Sequence, residues 1–238
     1  MAEPFALTEL VERLDLGPKE HVALVGGGGK STLLHALGRQ LPGRVVLTTT
    51  TKMGSDQDGG FPVVLATKFD PAQSTPGTFV VWERIAGQKA LGVSPIQCDQ
   101  WMSASNAVDY VVIEADGARR RPFKAPAPFE PVVPATTTLV ISVIGADALN
   151  RVIADQCHRP LRVAALAACQ PYQRLTPSRA AAALLHPNSA RRAVPADARL
   201  AIAITKVTEY NQPIVDELVG QALALDPQLE ILSILDTH

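Results

Sequence analysis

Seven short apolar runs, separated by turns and helical segments, constrain the fold of this chain more than any other feature. They are rich in Val, Ile and Leu, and most lack polar alternation, which is typical of strands covered by helices on both faces. Leucines at helical spacing in 30–41 and 211–225 supply helices between strands. The pattern predicts an α/β fold with a mostly parallel sheet flanked by helices. The predicted strands are 21–25, 44–49, 79–82, 109–115, 138–145, 199–205 and 229–235.

The chain is predicted to form one α/β domain over residues 1–238, since 47% hydrophobic residues suffice for a sizeable core. Residues 1–18 are predicted to contain a leading amphipathic helix, because their apolar residues fall on one helical face. The proline-dense segment 121–134 is expected to be an ordered loop over the edge of the sheet. The Ala-rich stretch at about 150–190 is expected to be a helical insert within the domain.

Charge and cysteine content limit the function classes. The 22 basic and 23 acidic residues give a net charge of −1, so no global basic field favours nucleic acid or an anionic membrane. The first 16 residues lack the basic and uninterrupted apolar regions of a signal peptide. The three cysteines are odd in number and widely spaced, which argues against a disulfide framework or a zinc ribbon. We expect a cytoplasmic protein with no nucleic-acid or membrane partner.

Four consecutive glycines in "LVGGGGKST" lie between the first predicted strand and the first leucine-rich helix. Such a loop offers backbone N–H groups and a helix N-terminus to phosphate oxygens. Lys30 can then reach the phosphates, and the Ser31 hydroxyl can ligate Mg²⁺. The sequence therefore predicts a nucleoside triphosphate bound with Mg²⁺ by Gly26, Gly27, Gly28, Gly29, Lys30, Ser31 and Thr32.

The glycine loop departs from the usual pattern G-x-x-x-x-G-K-[ST] at one position. Leu24 stands where the first glycine belongs, so Gly26 or Gly27 would have to begin a tighter turn. The alternative is that the glycines only let the chain turn. That alternative does not account for the Lys-Ser-Thr that follows at the start of an amphipathic helix.

Two carboxylates, Glu114 and Asp116, follow the apolar run of "DYVVIEADG". Residues i and i+2 on a strand point to the same side, so both could face the phosphates. Together with Lys30 they form the predicted catalytic set, in which one holds Mg²⁺ and the other orients water or substrate. Asp116 is favoured for the metal because Gly117 permits a turn beside it, and Glu114 is the alternative.

Further candidates lie after other predicted strands. Thr51 and Lys52 end the second strand region, where α/β folds bind ligands, although a run of threonines also suits a strand. Arg119, Arg120, Arg121 and Lys124 are expected to contact an anionic substrate, with a solvated charge run as the alternative.

The late segment "ITKVTE" is a candidate for the nucleotide site. Thr205 and Lys206 match part of the base-reading pattern N/T-K-x-D, but Thr208 occupies the Asp position. In that pattern the Asp carboxylate accepts hydrogen bonds from the guanine edge, and a hydroxyl cannot replace its two acceptors. ATP is therefore expected at least as strongly as GTP. Cys157 and His158 are assigned to packing, and Asp147 to a helix cap.

Taken in order, these segments resemble the YqeC family, accessory proteins for selenium-dependent molybdenum hydroxylases. The resemblance spans roughly Leu7 to Leu235 and rests on "LVGGGGKST", "LTTTTKM", "VVIEADGARRRPFKAP", "VISVIGADAL" and "CHRP". It implies a P-loop nucleoside-triphosphatase fold and a role in selenium cofactor biosynthesis or insertion. The E-A-D-G element is also similar to the strand-end E-x-x-G of metallochaperone GTPases, which load nickel or cobalt. This similarity implies that triphosphate hydrolysis drives delivery of a cargo.

Three functions follow as hypotheses. The first is a nucleoside triphosphatase that assists a molybdenum hydroxylase or its cofactor. The second is a nucleotide-gated binding protein with little hydrolysis, and the third is a kinase acting on a small anion.

Overall fold

The computed structural model describes residues 3–73, 75–103 and 108–236. The strands in chain order are β1 (Glu20–Gly26), β2 (Arg44–Thr49), β3 (Lys52–Gly54), β4 (Val63–Leu65), β5 (Gly77–Trp82), β6 (Arg84–Ala86), β7 (Lys89–Leu91), β8 (Tyr110–Glu114), β9 (Phe123–Lys124), β10 (Leu139–Gly145), β11 (Cys157–His158), β12 (Arg199–Val207) and β13 (Glu230–Leu235). The α-helices are α1 (Leu10–Leu14), α2 (Lys30–Gln40), α3 (Pro95–Ser103), α4 (Ile153–Gln156), α5 (Pro160–Leu166), α6 (Pro177–Leu185) and α7 (Gln212–Leu225).

An eight-stranded sheet forms the centre of the protein, in the order β13-β12-β10-β1-β8-β2-β5-β4. Every neighbouring pair in it is parallel. The seven predicted strands all lie in this sheet, so the predicted α/β class with its parallel sheet is confirmed. The eighth strand, β4, was not predicted because three residues are too short to give a pattern.

Two small sheets were not predicted either. β3, β7 and β6 form an antiparallel sheet, and β11 pairs with β9 in parallel. Each of these strands has two or three residues, and their pairing depends on contacts that no local pattern reports.

The core lies on both faces of the central sheet. In β1, Val22 and Leu24 pack on one side with residues of α2, whereas Ala23 and Val25 pack on the other side with residues of α3. A third cluster joins β12 to α6 and α7. Side chains on both faces of each inner strand are therefore buried, which explains the apolar runs without alternation.

The leading segment is less helical than predicted. A 3₁₀ turn at Leu7–Glu9 precedes the five-residue α1, which ends at Asp15 with φ 45°. Leu10 and Leu14 nevertheless enter the core, as their helical spacing indicated. The region at about 150–190 contains α4, α5 and α6, and residues of these helices share a cluster with α7.

The carboxyl ends of β1, β8 and β10 meet at the centre of the sheet, where the strand order changes direction. After β1 the chain passes through α2 to β2, on the β8 side, while β10 lies on the other side. Open α/β sheets bind their ligands in the crevice at such a point. Within the described residues, none of the helices has the length and apolarity needed to cross a membrane.

We expect the packing of α2 against the sheet to contribute strongly to stability. Leu37 is fully buried, so Leu37→Ala should lower the free energy of unfolding by about 3 kcal/mol, through lost burial and a cavity. Leu225, 61% exposed in α7, provides the matched control, and Leu225→Ala should cost less than about 1 kcal/mol. Urea unfolding measures both values, and equal losses would contradict the assigned core.

Candidate functional site

The glycine loop connects β1 to α2 at the carboxyl edge of the sheet. Gly28 and Gly29 adopt φ values of 81° and 119°, in the region that side chains disfavour. A Cβ atom at Gly28 would also overlap the backbone of Gly145 at the end of β10. Glycine is therefore required at Gly28 by both the turn and the close approach of the loop to the end of β10.

Backbone hydrogen bonds hold the first part of this loop against its neighbours. The Gly27 N–H donates to Val143 O at 2.9 Å, and the Gly28 N–H donates to Arg121 O at 3.1 Å. The Thr205 hydroxyl donates to the Gly28 carbonyl and, at 3.3 Å, to Ile144 O. Thr205 thus shapes the loop from the end of β12.

The next four N–H groups, from Gly29 to Thr32, have no acceptor among the described residues. They belong to the N-cap and first turn of α2, an 11-residue helix with no acidic residue in that turn. Helix N-termini of this kind carry partial positive charge and donate to anions. The open N–H groups of α2 are therefore free to donate hydrogen bonds to an anion.

Lys30 is 4% exposed and lies between two carboxylates at this helix end. Its Nζ donates to Gly26 O at 2.7 Å and lies 3.2 Å from Asp116 Oδ1 and 3.6 Å from Glu114 Oε1. Burial disfavours its ammonium, but the negative charges of Asp116 and Glu114 hold the Lys30 pKa above its ordinary value. Lys30 therefore stays charged at neutral pH.

The two carboxylates have different surroundings. Glu114 accepts a 2.8 Å hydrogen bond from the Ser31 hydroxyl and lines the cleft above α2. Asp116 is 1% exposed and accepts from the Gly26 N–H with both oxygens, at 3.1 and 3.2 Å. Asp116 does not line that cleft. Both carboxylates reach the Lys30 ammonium, but the expectation that both face one ligand does not hold for Asp116, because Lys30, Lys124 and the Gly26 N–H enclose it.

Lys124 belongs to a buried chain of charges rather than to the cleft. Its Nζ lies 3.1 Å from Asp116 Oδ2 and 2.7 Å from Glu130 Oε2, and it donates to Gly117 O at 2.7 Å. Glu130 in turn accepts two hydrogen bonds from Arg159, at 2.6 and 3.0 Å. The substrate contact predicted for Lys124 is therefore replaced by a structural role, since its side chain is fully buried.

The cleft itself has a volume of about 900 Å³, within the range of small-molecule sites. It is bounded by the first turn of α2, the turn after β8, and the small sheet of β3 and β7. Its lining contains two acidic residues, Asp56 and Glu114, and a larger set of basic ones. The basic residues are Lys30, Lys52, Lys89, Arg119, Arg120, Arg121 and Lys206.

Of the remaining predicted site residues, some line the cleft and others support the surrounding structure. Thr51 does not line the cleft: its hydroxyl lies 3.2 Å from that of Thr49, and its carbonyl accepts from Gly92 at 2.7 Å. Lys206 lines the cleft with φ 58°, and its Nζ pairs with Asp147 at 2.6 Å. The backbone N–H of Thr208 donates to Asn211 at 2.9 Å.

Cys157 and His158 form β11 beside the charged chain. Burial raises the pKa of Cys157 to about 12, and burial with the positive charges of Arg159, Lys124 and Arg119 lowers the pKa of His158 to about 4. A neutral thiol and a neutral imidazole agree with the packing role assigned to them. Among the described residues no group of three or more His, Cys, Asp or Glu side chains could hold a metal ion alone.

Sequence reasoning missed Glu130, Arg159 and Lys89. Glu130 precedes a proline in a segment without periodicity, and Arg159 lies far away in sequence, so nothing local predicted their pairing. Lys89 lies in an unpredicted three-residue strand. The clustering of Pro and charge in 121–134 was the available signal for an ordered segment.

The ion pairs of Glu130 make the free energy of unfolding depend on pH in the acid range. Burial would raise its pKa, but hydrogen bonds and charge from Arg159 and Lys124 lower it to about 2, from an ordinary 4.5. A lowered folded-state pKa stabilises the protein above pH 4.5, and this contribution is lost as the pH falls towards 2. Glu130→Gln should therefore cost on the order of 3 kcal/mol at pH 7 and progressively less below pH 4.5.

The measurement is urea unfolding of wild type and variant from pH 7 to pH 3. Glu217→Gln, at an exposed position of α7, is the control and should cost less than about 1 kcal/mol at pH 7. A Glu130→Gln difference that does not change with pH would contradict the ion pairing.

Comparison with known proteins assigns the chain to a family. The family model described as YqeC protein matches residues 22–161, which include the glycine loop, both carboxylates and Glu130. The protein YqeC of Escherichia coli (strain K12) is 31% identical over 223 residues, covering 88% of this chain and 86% of that protein. No solved structure matches the chain significantly. Since the family model and this relative both cover more than half of the sequence, the chain belongs to the YqeC family.

Proposed function

We propose that this protein has a P-loop-like nucleotide site that binds ATP or GTP with Mg²⁺, and that turnover of the nucleotide assists maturation of a selenium-dependent molybdenum hydroxylase. The supporting observation is the grouping of the Lys30 ammonium, the Ser31 hydroxyl and the Glu114 carboxylate around the open first turn of α2. Cation, hydroxyl, carboxylate and free amides in one cleft are what a metal-bound phosphate chain requires.

Phosphate binding would use the amides of Gly29 to Thr32 and the charge of Lys30. Lys30 donates to Gly26 O and contacts both acids, so binding of a phosphate would require its ammonium to move outward. The pKa of Lys30, raised by Asp116 and Glu114 against the effect of burial, keeps the charge available. Its role would be to neutralise phosphate oxygens at the helix end.

The residues present fit Mg²⁺. Ser31 Oγ and Glu114 Oε2 are 2.8 Å apart beside the phosphate-binding turn, and Mg²⁺ typically takes one or two protein oxygens together with phosphates and water. When bound, the ion would offset phosphate charge and polarise the terminal phosphate. We assign the metal contact to Ser31 and Glu114 rather than to Asp116, because Asp116 is enclosed by two lysines and a backbone donor.

One observation supports a second candidate, a nucleotide-gated binding protein with little hydrolysis. Of the two acids proposed for catalysis, only Glu114 lines the cleft. If it holds the metal, Asp116 cannot orient an attacking water from its buried position. Efficient turnover would then need a group from a client, which suits a maturation factor that acts only on its target.

The proposed partners follow from family membership and the sequence resemblance. A molybdenum hydroxylase or its selenium-containing cofactor would be the client. Lys206 lines the cleft and Thr205 fixes the loop, while Thr208, at the position of the base-reading Asp in the sequence pattern, offers no carboxylate for guanine. Both ATP and GTP therefore remain candidate ligands.

Removal of the Lys30 charge should weaken nucleotide binding. We expect Lys30→Met to raise the Kd for Mg-ATP and Mg-GTP by roughly a hundredfold, since a charge-assisted contact contributes about 3 kcal/mol. Lys19→Met changes an exposed lysine before β1, at the opposite edge of the sheet, and should leave both affinities unchanged. Isothermal calorimetry measures the Kd, and unchanged affinity in Lys30→Met would remove the phosphate-site assignment.

The two carboxylates should respond differently to conversion into amides. Glu114→Gln should raise the Mg²⁺ concentration needed for nucleotide turnover and recover partly in excess Mg²⁺, because a metal ligand has been weakened. Asp116→Asn should lower the melting temperature and gain nothing from added Mg²⁺, because a buried ion pair has been broken. Thermal unfolding and Mg²⁺-dependent phosphate release measure these effects.

The reverse pattern, with Mg²⁺ recovery only in Asp116→Asn, would transfer the metal role to Asp116. Turnover at the wild-type rate in both variants would show that neither carboxylate acts in catalysis. Wild-type protein that binds Mg-nucleotide without measurable turnover would favour the nucleotide-gated binding protein over the enzyme.

A further inference from the structure

Five basic residues of the small sheet and of the turn after β8 line the cleft, and we name them the cationic wall: Lys52, Lys89, Arg119, Arg120 and Arg121. In the described parts of the chain, none of the five lies within ion-pair distance of a carboxylate. Arg121 does contact the backbone carbonyl of Asp155. Unpaired like charges repel one another, so this grouping needs a reason other than folding.

The small sheet holds Lys52 and Lys89 on the same face. Lys89 of β7 lies opposite Gly54 of β3, and Lys52 is two residues from Gly54, so the lysines are diagonal neighbours. The intervening Met53 and Ala90 point the other way and are buried in the core. The core therefore fixes the orientation of this sheet, and its cationic face is turned to the cleft.

Arg119 and Arg120 are held in an unusual backbone conformation. Their φ values are 51° and 59°, and the Arg121 N–H donates to Ala118 O at 3.0 Å to close the turn. Two successive residues with side chains in the left-handed region cost free energy that the surrounding structure must supply. Such strain is found mainly where side chains are positioned for a ligand.

A Mg-bound triphosphate does not require these charges, because Lys30 and the open amides of α2 already face it. We propose that the cationic wall binds a second small molecule that carries a phosphate or pyrophosphate group, in the same cleft as the nucleotide. Arginine forks and lysine ammonium groups are suited to such oxyanions. The second site rests on the proposed function only in that both ligands share the cleft.

A small ligand fits the cleft better than a nucleic acid. The wall lies inside a cavity of about 900 Å³ that also contains Glu114 and Asp56, whose charges would repel a long polyanion. The chain as a whole has a net charge of −1, without the extended basic surface that phosphate backbones need.

The test is calorimetric titration of pyrophosphate, with excess Mg²⁺, into protein saturated with the tighter of AMP-PNP and GMP-PNP. We expect one molecule of pyrophosphate to bind the loaded protein. Arg119→Gln/Arg120→Gln should weaken this binding at least tenfold. The control Lys19→Gln/Lys68→Gln removes the same charge from exposed lysines outside the cleft and should keep wild-type pyrophosphate affinity. Melting temperatures establish that both variants fold.

Pyrophosphate that fails to bind the loaded protein would overturn the proposal, because the cleft would then hold a single anionic ligand. Equal pyrophosphate affinity in wild type and the arginine variant would overturn it as well. If neither nucleotide analogue binds, the proposed function fails separately, and free protein is titrated instead. Pyrophosphate binding that survives in Lys30→Met but is lost in the arginine variant would then still support the second site.

Discussion

The buried carboxylate of Asp116 determines how the parts of the site fit together. A charge that is 1% exposed is stable only when it is paired and hydrogen-bonded. Asp116 meets this requirement with the Gly26 N–H, Lys30 and Lys124. The glycine loop, the first turn of α2 and the proline-dense segment therefore converge on one side chain.

The second lysine gives this arrangement a functional consequence. If Lys30 moved towards a phosphate, Asp116 would keep Lys124 at 3.1 Å and the Gly26 N–H, so no isolated anion would remain in the core. Glu130 and Arg159 continue the same alternation of charge to the start of α5. The free-energy cost of releasing Lys30 is thereby reduced, because breaking a buried pair is expensive mainly when its partner is left alone.

Sequence patterns predicted the central sheet and the glycine loop because both depend on local composition. Residues 22–25 of β1 and 110–113 of β8 are apolar without alternation, and burial on two faces explains that pattern. The division of roles between Glu114 and Asp116 could not be predicted in this way. The i, i+2 spacing brings both carboxylates to Lys30. The other groups that enclose Asp116, Lys124 and the Gly26 N–H, come from distant segments. The position of Lys124 depends on Glu130 and Asp116, and no local pattern in the sequence indicates that pairing.

Leu24 stands where the usual phosphate loop has its first glycine, and its place in the sheet explains why the turn begins later in this chain. It lies within β1, in register with Ile141 of β10 and Glu114 of β8, so the strand continues to Gly26. The turn is then confined to the glycines, and the amides of Gly26, Gly27 and Gly28 are used by neighbouring strands and loops. A phosphate chain would consequently depend on the first turn of α2 and on cationic side chains more than on loop amides. Lys30 is the cationic side chain closest in sequence to those open amides, since it occupies the first position of the helix itself.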